Sequence, residues 1–103
     1  MASYAFTTTG NPSGVSKTLT GTTADTVTVT SPGSFRIVIL NRGAGTIYAR
    51  ADGTAAVSEA DGTIPIPAGT SIEYASGPGV TALSIVGNSD AYSVLGLAQG
   101  AWT

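Results

Sequence analysis

Alternation of apolar and polar residues with a period of two marks several short segments of this chain as β-strands. In residues 25–30, Asp-Thr-Val-Thr-Val-Thr, the pattern places Val27 and Val29 on one face and threonines on the other. This is typical of an antiparallel strand with one face against the core and one toward solvent. Residues 35–40 form an apolar run broken only by Arg36, which predicts a central strand buried on both faces.

Turn-forming residues separate further short strands and leave no window for a helix. The chain contains 14 glycines and 5 prolines, and these interrupt every stretch long enough for helical periodicity. Asn41 to Gly45, Asn-Arg-Gly-Ala-Gly, tolerates positive φ and predicts a hairpin between residues 35–40 and 46–51. The other predicted strands are residues 15–19, 64–67 (an edge strand or a strand entry, because of two prolines), 71–75, 82–86 and 91–95.

About eight short strands spaced by roughly 8–12 residues are typical of a β-sandwich or barrel. The predicted fold is therefore all-β, a small antiparallel sandwich or barrel, with jelly-roll topology left open. Residues 1–14 are interpreted as an N-terminal arm, 15–97 as the β-domain and 98–103 as a short C-terminal tail. Both extensions carry aromatic residues, namely Tyr4, Phe6 and Trp102. Such rings dock either on a neighbouring subunit or on their own domain.

Charge is scarce in this chain of 103 residues, and its scarcity bears on function. Charged residues make up 10% against the roughly 25% usual in soluble proteins, while apolar residues make up 42%. A surface filled by Thr, Ser, Gly and Ala suits a protein partly covered by others. The net charge of −2 disfavours nucleic-acid binding. The sequence shows no membrane span and no signal-peptide pattern, so we expect cytoplasmic synthesis without export.

Catalytic residue types are largely missing. The chain has no His, no Cys and a single lysine, Lys17, so carboxylates remain as the main candidates for acid–base chemistry. Asp52, Glu59 and Asp61 lie among turn residues, where Asp is favoured for its own backbone hydrogen bonds. A glycosidase pair or a Ca²⁺ site there is the less favoured interpretation. We therefore predict no enzyme, no catalytic or metal-binding residues and no cofactor.

Two groups of side chains are candidates for binding a partner. Tyr48, Tyr74, Tyr92 and Trp102 are interpreted either as half-buried filler and tail residues or as a sugar-stacking platform. Arg36, Arg42 and Arg50 are expected in one hairpin, as solvated surface charges or as a patch that meets acidic groups. The predicted partner-binding residues are Tyr4, Phe6, Arg36, Arg42, Arg50 and Trp102.

Two segments in the middle of the chain carry a distinctive pattern: residues 37–43, Ile-Val-Ile-Leu-Asn-Arg-Gly, and residues 46–55, Thr-Ile-Tyr-Ala-Arg-Ala-Asp-Gly-Thr-Ala. This pattern resembles one in small β-sandwich structural proteins of tailed bacteriophages, most of all capsid decoration proteins. Residues 66–69, Ile-Pro-Ala-Gly, and 92–94, Tyr-Ser-Val, extend the resemblance over about residues 35–97. Ala49 departs from it, because Val is commoner at this place.

The resemblance implies a virion protein on the outer surface of the capsid, made in the host cytoplasm. Its partners would be the major capsid protein and further copies of itself in a homo-oligomer, and its function would be to cement the head through interface burial and multivalency. A sugar- or receptor-binding module of a tail or fibre is the alternative. A hydrolase built on the carboxylates of residues 52–61 is the third and weakest hypothesis.

Overall fold

The computed structural model describes residues 2–8, 13–31, 35–51, 63–76 and 79–98, and these ranges form β-strands joined by turns. The strands are β1 (Ser3–Thr7), β2 (Ser13–Thr18), β3 (Asp25–Ser31), β4 (Phe35–Asn41), β5 (Ile47–Arg50), β6 (Ile64–Ile66), β7 (Ser71–Ser76), β8 (Gly79–Val86) and β9 (Ala91–Ala98). Within these ranges, no helix is long and apolar enough to cross a membrane.

The nine strands form two sheets. Sheet A has the order β1-β3-β8-β5-β6, and sheet B has the order β2-β9-β4-β7. Every pairing is antiparallel except that of β1 with β3. The prediction of a small all-β sandwich is therefore confirmed, with one strand more than the approximate count. The proline-containing strand β6 lies at an edge of sheet A, as its missing ladder donors require.

The core lies between the sheets and is built from the inward-facing residue of each alternation. Val27 and Val29 are fully buried, as predicted, and Leu83 pairs with Val27 from the neighbouring strand β8. The residues that complete the main buried cluster are Leu19, Ile37, Ile39, Ile47, Ala49, Ile66, Ile85, Tyr92 and Val94. Strand β4 departs from its prediction, because Ile37 and Ile39 are buried whereas Val38 and Leu40 on its outer face are only half-buried.

The N-terminal segment, assigned from sequence to an arm, contains a strand of sheet A. Backbone hydrogen bonds from Thr26 N to Ala2 O (2.9 Å) and from Thr8 N to Thr30 O (2.8 Å) fix β1 at both ends. Tyr4 and Phe6 alternate inward and pack against the main core, which explains why these residues order the segment. Strand β2 also begins inside the range assigned to the arm, whereas tail residues 99–103 lie outside the described residues.

The predicted hairpin of residues 35–40 with 46–51 is wrong. Strand β4 belongs to sheet B and β5 to sheet A, so the intervening loop crosses the sandwich. Positive φ values occur at Gly21, Gly69, Gly79 and Ser89 but not in residues 42–45. The small residues of that loop thus serve close packing rather than a hairpin turn.

A hydrogen bond between two buried side chains joins the sheets through the core. The Tyr92 hydroxyl of β9 donates to Asp25 Oδ2 of β3 over 2.8 Å, and the two residues are 0% and 2% exposed. Burial raises the pKa of Tyr92 far above its ordinary value of 10.0, and the hydrogen bond and negative charge of Asp25 raise that pKa further.

Candidate binding surface

The outer face of sheet B carries three half-buried apolar side chains in its middle. Val38 and Leu40 alternate outward along β4, and Leu95 of β9 lies directly opposite Val38. We call these three residues the apolar stripe. The same alternation that buries Ile37 and Ile39 in the core presents Val38 and Leu40 on the outside, because successive strand residues face opposite ways.

An arginine lies at each end of the apolar stripe. Arg36 begins the outward-facing series on β4, and Arg42 follows the last residue of that strand. Six residues of extended chain separate them by about 20 Å at roughly 3.3 Å per residue. Both side chains are exposed. An apolar centre flanked by cationic groups is therefore built along β4 and the residue that follows it, with Leu95 of β9 beside it.

Arg36 is paired with a carboxylate of the same face. Its Nη1 lies 3.3 Å from Oε1 of Glu73 on the neighbouring strand β7, and the side chains are 45% and 52% exposed. An ion pair this exposed contributes little to stability. It does neutralise the charge at this end of the apolar stripe.

Arg42 is held instead by neutral acceptors of strand β9. Its Nε donates to Ser93 Oγ at 2.9 Å, and its Nη2 donates to the Tyr92 carbonyl oxygen at 3.2 Å. The Ser93 hydroxyl is 5% exposed and is also hydrogen-bonded to the Ser16 hydroxyl of β2 at 2.8 Å. These contacts tie the guanidinium group to strand β9 of sheet B.

The loop that carries Arg42 is fixed by two buried polar side chains. Asn41, 0% exposed, donates through Nδ2 to the carbonyl oxygens of Gly45 (2.7 Å) and Ile66 (2.8 Å) and accepts from Gly43 N (2.9 Å). The Asp90 carboxylate accepts from Gly45 N at 3.1 Å. A Cβ atom on Gly43 would lie 2.6 Å from the Asp90 Cβ, so close approach requires glycine there. Arg42 therefore leaves a rigid loop.

The structure separates most of the predicted partner-binding residues. Tyr4 and Phe6 pack on the chain's own core, and the Lys17 Nζ lies 4.6 Å from the centre of the Tyr4 ring. Arg50 belongs to β5 of sheet A whereas Arg36 belongs to β4 of sheet B, so the expectation that Arg36, Arg42 and Arg50 share one hairpin is wrong. Trp102 lies outside the described residues.

The proposed sugar platform does not form among the tyrosines whose side chains are described. Tyr92 is fully buried, whereas Tyr48 packs beside Val86 and Ala24 apart from the main core. The Tyr74 side chain is not among those described. Asp52, Glu59 and Asp61 also lie outside the described ranges, within which no cluster of three potential metal ligands occurs.

Sequence reasoning missed the apolar stripe although its signal was present. Alternate residues of an extended segment face the same side of a sheet, so the sequence places four side chains on one face: Arg36, Val38, Leu40 and Arg42. The continuous apolar character of residues 37–40 suggested burial on both sides and hid that alternation.

Comparison with solved structures shows the fold in other proteins. Aeromonas hydrophila PliG, a periplasmic inhibitor of g-type lysozyme, matches with a TM-score of 0.56 and 12% identity over 93% of this chain and 96% of its own. The pre-peptidase C-terminal domain of a Bacillus anthracis collagenase matches with a TM-score of 0.52 and 16% identity over 90% of this chain and 91% of its own. No family model matches the sequence, and no curated protein matches it. At these identities the likeness is one of fold.

The resemblance to phage decoration proteins is wrong, because these solved structures are a periplasmic inhibitor and a collagenase domain. The predicted head-cementing function is therefore wrong as well. The same holds for the predicted capsid and self-association partners and for the predicted location on the virion. The tail or fibre module finds no support either. The quoted motifs consist of strand and turn residues that many antiparallel sandwiches share, so they carry information on fold but not on function.

Proposed function

We propose that this chain is a non-catalytic protein-binding domain whose binding surface is the outer face of sheet B. The observation that carries the proposal is the apolar stripe placed between two arginines, in a chain where only 10% of residues are charged. Interfaces commonly combine an apolar centre with a polar rim, and arginine is enriched among the residues that contribute most to binding.

The residue inventory supports a binding role rather than a catalytic one. The chain has no His and no Cys. Asp25 and Asp90 are buried and hold structural hydrogen bonds, and Glu73 is paired with Arg36. Each of these three carboxylates therefore has a structural partner.

We propose a g-type lysozyme as the first partner to test. Aeromonas hydrophila PliG, which shares the fold over nearly its whole length, inhibits such an enzyme from the periplasm. In this proposal the chain inhibits by covering part of the enzyme's surface with the outer face of sheet B, whose apolar centre supplies the buried contact area.

The test compares two sheet faces. The triple variant Val38→Thr, Leu40→Gln and Leu95→Gln makes the stripe polar at nearly constant volume. Val80→Thr is the matched control, because Val80 is 67% exposed and belongs to β8 of the opposite sheet. Binding to a g-type lysozyme is measured by calorimetry, and inhibition by the clearing rate of a cell-wall suspension.

We expect the stripe variant to bind at least about tenfold more weakly, since lost apolar burial of roughly 1.4 kcal/mol corresponds to that factor. The control is expected to bind like the parent chain. Absence of binding by the parent chain contradicts the lysozyme assignment. Equal weakening by both variants contradicts the assignment to sheet B.

A further inference from the structure

The two arginines beside the apolar stripe differ in what they can still bind. The Arg36 guanidinium already faces a carboxylate, because Glu73 Oε1 lies 3.3 Å from its Nη1. Arg42 contacts a hydroxyl and a backbone carbonyl, both neutral. Within the described part of the chain, Arg42 forms no ion pair. The positive charge at the Arg42 end is therefore not neutralised by contact with a carboxylate.

The geometry of Arg42 leaves one edge of its guanidinium group for a ligand. Arginine has five N–H donors in a planar fork, and the two hydrogen bonds to β9 engage Nε and one hydrogen of Nη2. The remaining hydrogens of Nη1 and Nη2 form the edge that binds a carboxylate through two parallel hydrogen bonds. The exposure of Arg42 makes this edge accessible.

Binding at Arg42 requires little further ordering. A long charged side chain normally loses rotamer freedom when it binds, and this loss weakens binding. Ser93 already fixes the Arg42 guanidinium, and Ser16 in turn fixes Ser93. Asn41 holds the loop from which Arg42 projects.

A single carboxylate fits these surroundings better than a phosphate. The other cations are distant or engaged elsewhere, since Lys17 lies over the Tyr4 ring and Arg50 belongs to the other sheet. Leu40, directly opposite Ser93 in the strand register, places an apolar side chain beside the Arg42 contact. One cation next to an apolar side chain matches an Asp or Glu flanked by apolar residues on a protein surface.

We infer that Arg42 is the anchor that binds a carboxylate of the partner protein, while the positive charge of Arg36 is already balanced by the carboxylate of Glu73. This inference rests on the proposed function, and it adds the orientation in which the partner docks. The partner's carboxylate lies at the Arg42 end of the apolar stripe, and its apolar residues cover Val38, Leu40 and Leu95.

The first test needs no protein partner. The chain contains three arginines, so an NMR spectrum of arginine Nε–H groups contains three signals, which Arg36→Lys and Arg42→Lys assign by loss. Sodium acetate is the probe, with sodium chloride at equal ionic strength and inorganic phosphate as separate arms. We expect a saturable acetate shift of the Arg42 signal at least about threefold larger than that of Arg36, because Arg36 already faces the Glu73 carboxylate whereas Arg42 faces no carboxylate among the described residues. Equal shifts of the two signals, or a shift with phosphate only, overturn the inference.

The second test uses a g-type lysozyme and separates this inference from the proposed function. Arg42→Lys keeps the charge but loses the planar fork, and we expect it to weaken binding about tenfold, whereas Arg50→Lys, the same change on the opposite sheet, alters affinity less than about threefold. If the stripe variant weakens binding and Arg42→Lys does not, the anchor assignment is wrong while the proposed function stands. If lysozyme does not bind but acetate shifts Arg42 selectively, the lysozyme assignment is wrong and the carboxylate site stands.

Discussion

Removal of one hydroxyl group at Tyr92 tests how the two sheets are held together. Tyr92→Phe deletes the donor of the 2.8 Å hydrogen bond to Asp25 and leaves the rest of the ring in place. The Asp25 side chain is 2% exposed, so water does not readily replace the lost donor. A hydrogen bond to a charged group contributes about 1.5–3 kcal/mol, and we expect Tyr92→Phe to lower the free energy of unfolding by about 2 kcal/mol.

Urea unfolding followed by circular dichroism measures that loss. A change of about 2 kcal/mol corresponds to a fall of roughly 8–16 °C in melting temperature for a domain of this size. Asp25→Ala and the double variant complete a double-mutant cycle. We expect the double variant to be more stable than the sum of the single losses predicts, since the two groups contact each other directly. A loss below about 0.5 kcal/mol for Tyr92→Phe refutes the proposed energetic coupling of the sheets.

The same residue predicts a response to alkaline pH. The folded chain keeps the Tyr92 proton because the pKa is raised, whereas an unfolded chain releases it above its ordinary pKa of 10.0. The stabilisation is fully present below pH 10 and declines above it, by up to about 1.4 kcal/mol per pH unit. Urea titrations between pH 8 and 11 are expected to show this decline in the parent chain and a shallower one in Tyr92→Phe. Identical pH profiles contradict the argument.

Two further substitutions test the loop and the N-terminal strand. Asn41→Leu leaves the buried Ile66 carbonyl group without its donor and removes the hydrogen bond to the exposed Gly45. We expect this change to lower the free energy of unfolding by urea by about 1–3 kcal/mol. Asn88→Leu, at an exposed position, is the control, and equal losses contradict the role of Asn41. Gly96→Ala places a methyl group 2.5 Å from Thr8 Cγ2 and 2.8 Å from Phe6 Cε2, so we expect β1 to be displaced and the N-terminus to be cleaved faster in limited proteolysis. Adding Thr8→Ser removes the nearest methyl group and is expected to restore part of the protection, and unchanged cleavage of Gly96→Ala contradicts the packing argument.

Local alternation was sufficient to predict which residues of several strands face the core. Val27 and Val29 occupy the inner face of β3, as the period of two required, and both are fully buried. The segments predicted at residues 82–86 and 91–95 lie within β8 and β9. These predictions succeeded because the two faces of one strand differ in polarity within a few residues.

The local pattern of apolar and polar residues does not show which strands pair with each other. Residues 3–7 have the same alternation as β3, but nothing within the segment indicates that it pairs with residues 26–30 in parallel. The mistaken hairpin of β4 with β5 has the same origin. Asn41 reaches the Ile66 carbonyl oxygen, 25 residues away, and helps direct the loop across the sandwich.

The candidate site combines a part that sequence determines with a part that only the fold supplies. Every second residue along β4 and its extension faces the same side of the sheet, and this alternation places Arg36, Val38, Leu40 and Arg42 together on the outer face. Both guanidinium groups are cationic, but neighbouring strands give them different partners, since β7 brings the carboxylate of Glu73 to Arg36 and β9 brings the neutral hydroxyl of Ser93, 51 residues along the chain, to Arg42. Two arginines that are equivalent in the sequence thus take different roles: Arg36 forms an internal ion pair with Glu73, and Arg42 is the carboxylate anchor. Because only one end of the apolar stripe attracts a carboxylate, this asymmetry fixes the orientation in which a partner docks.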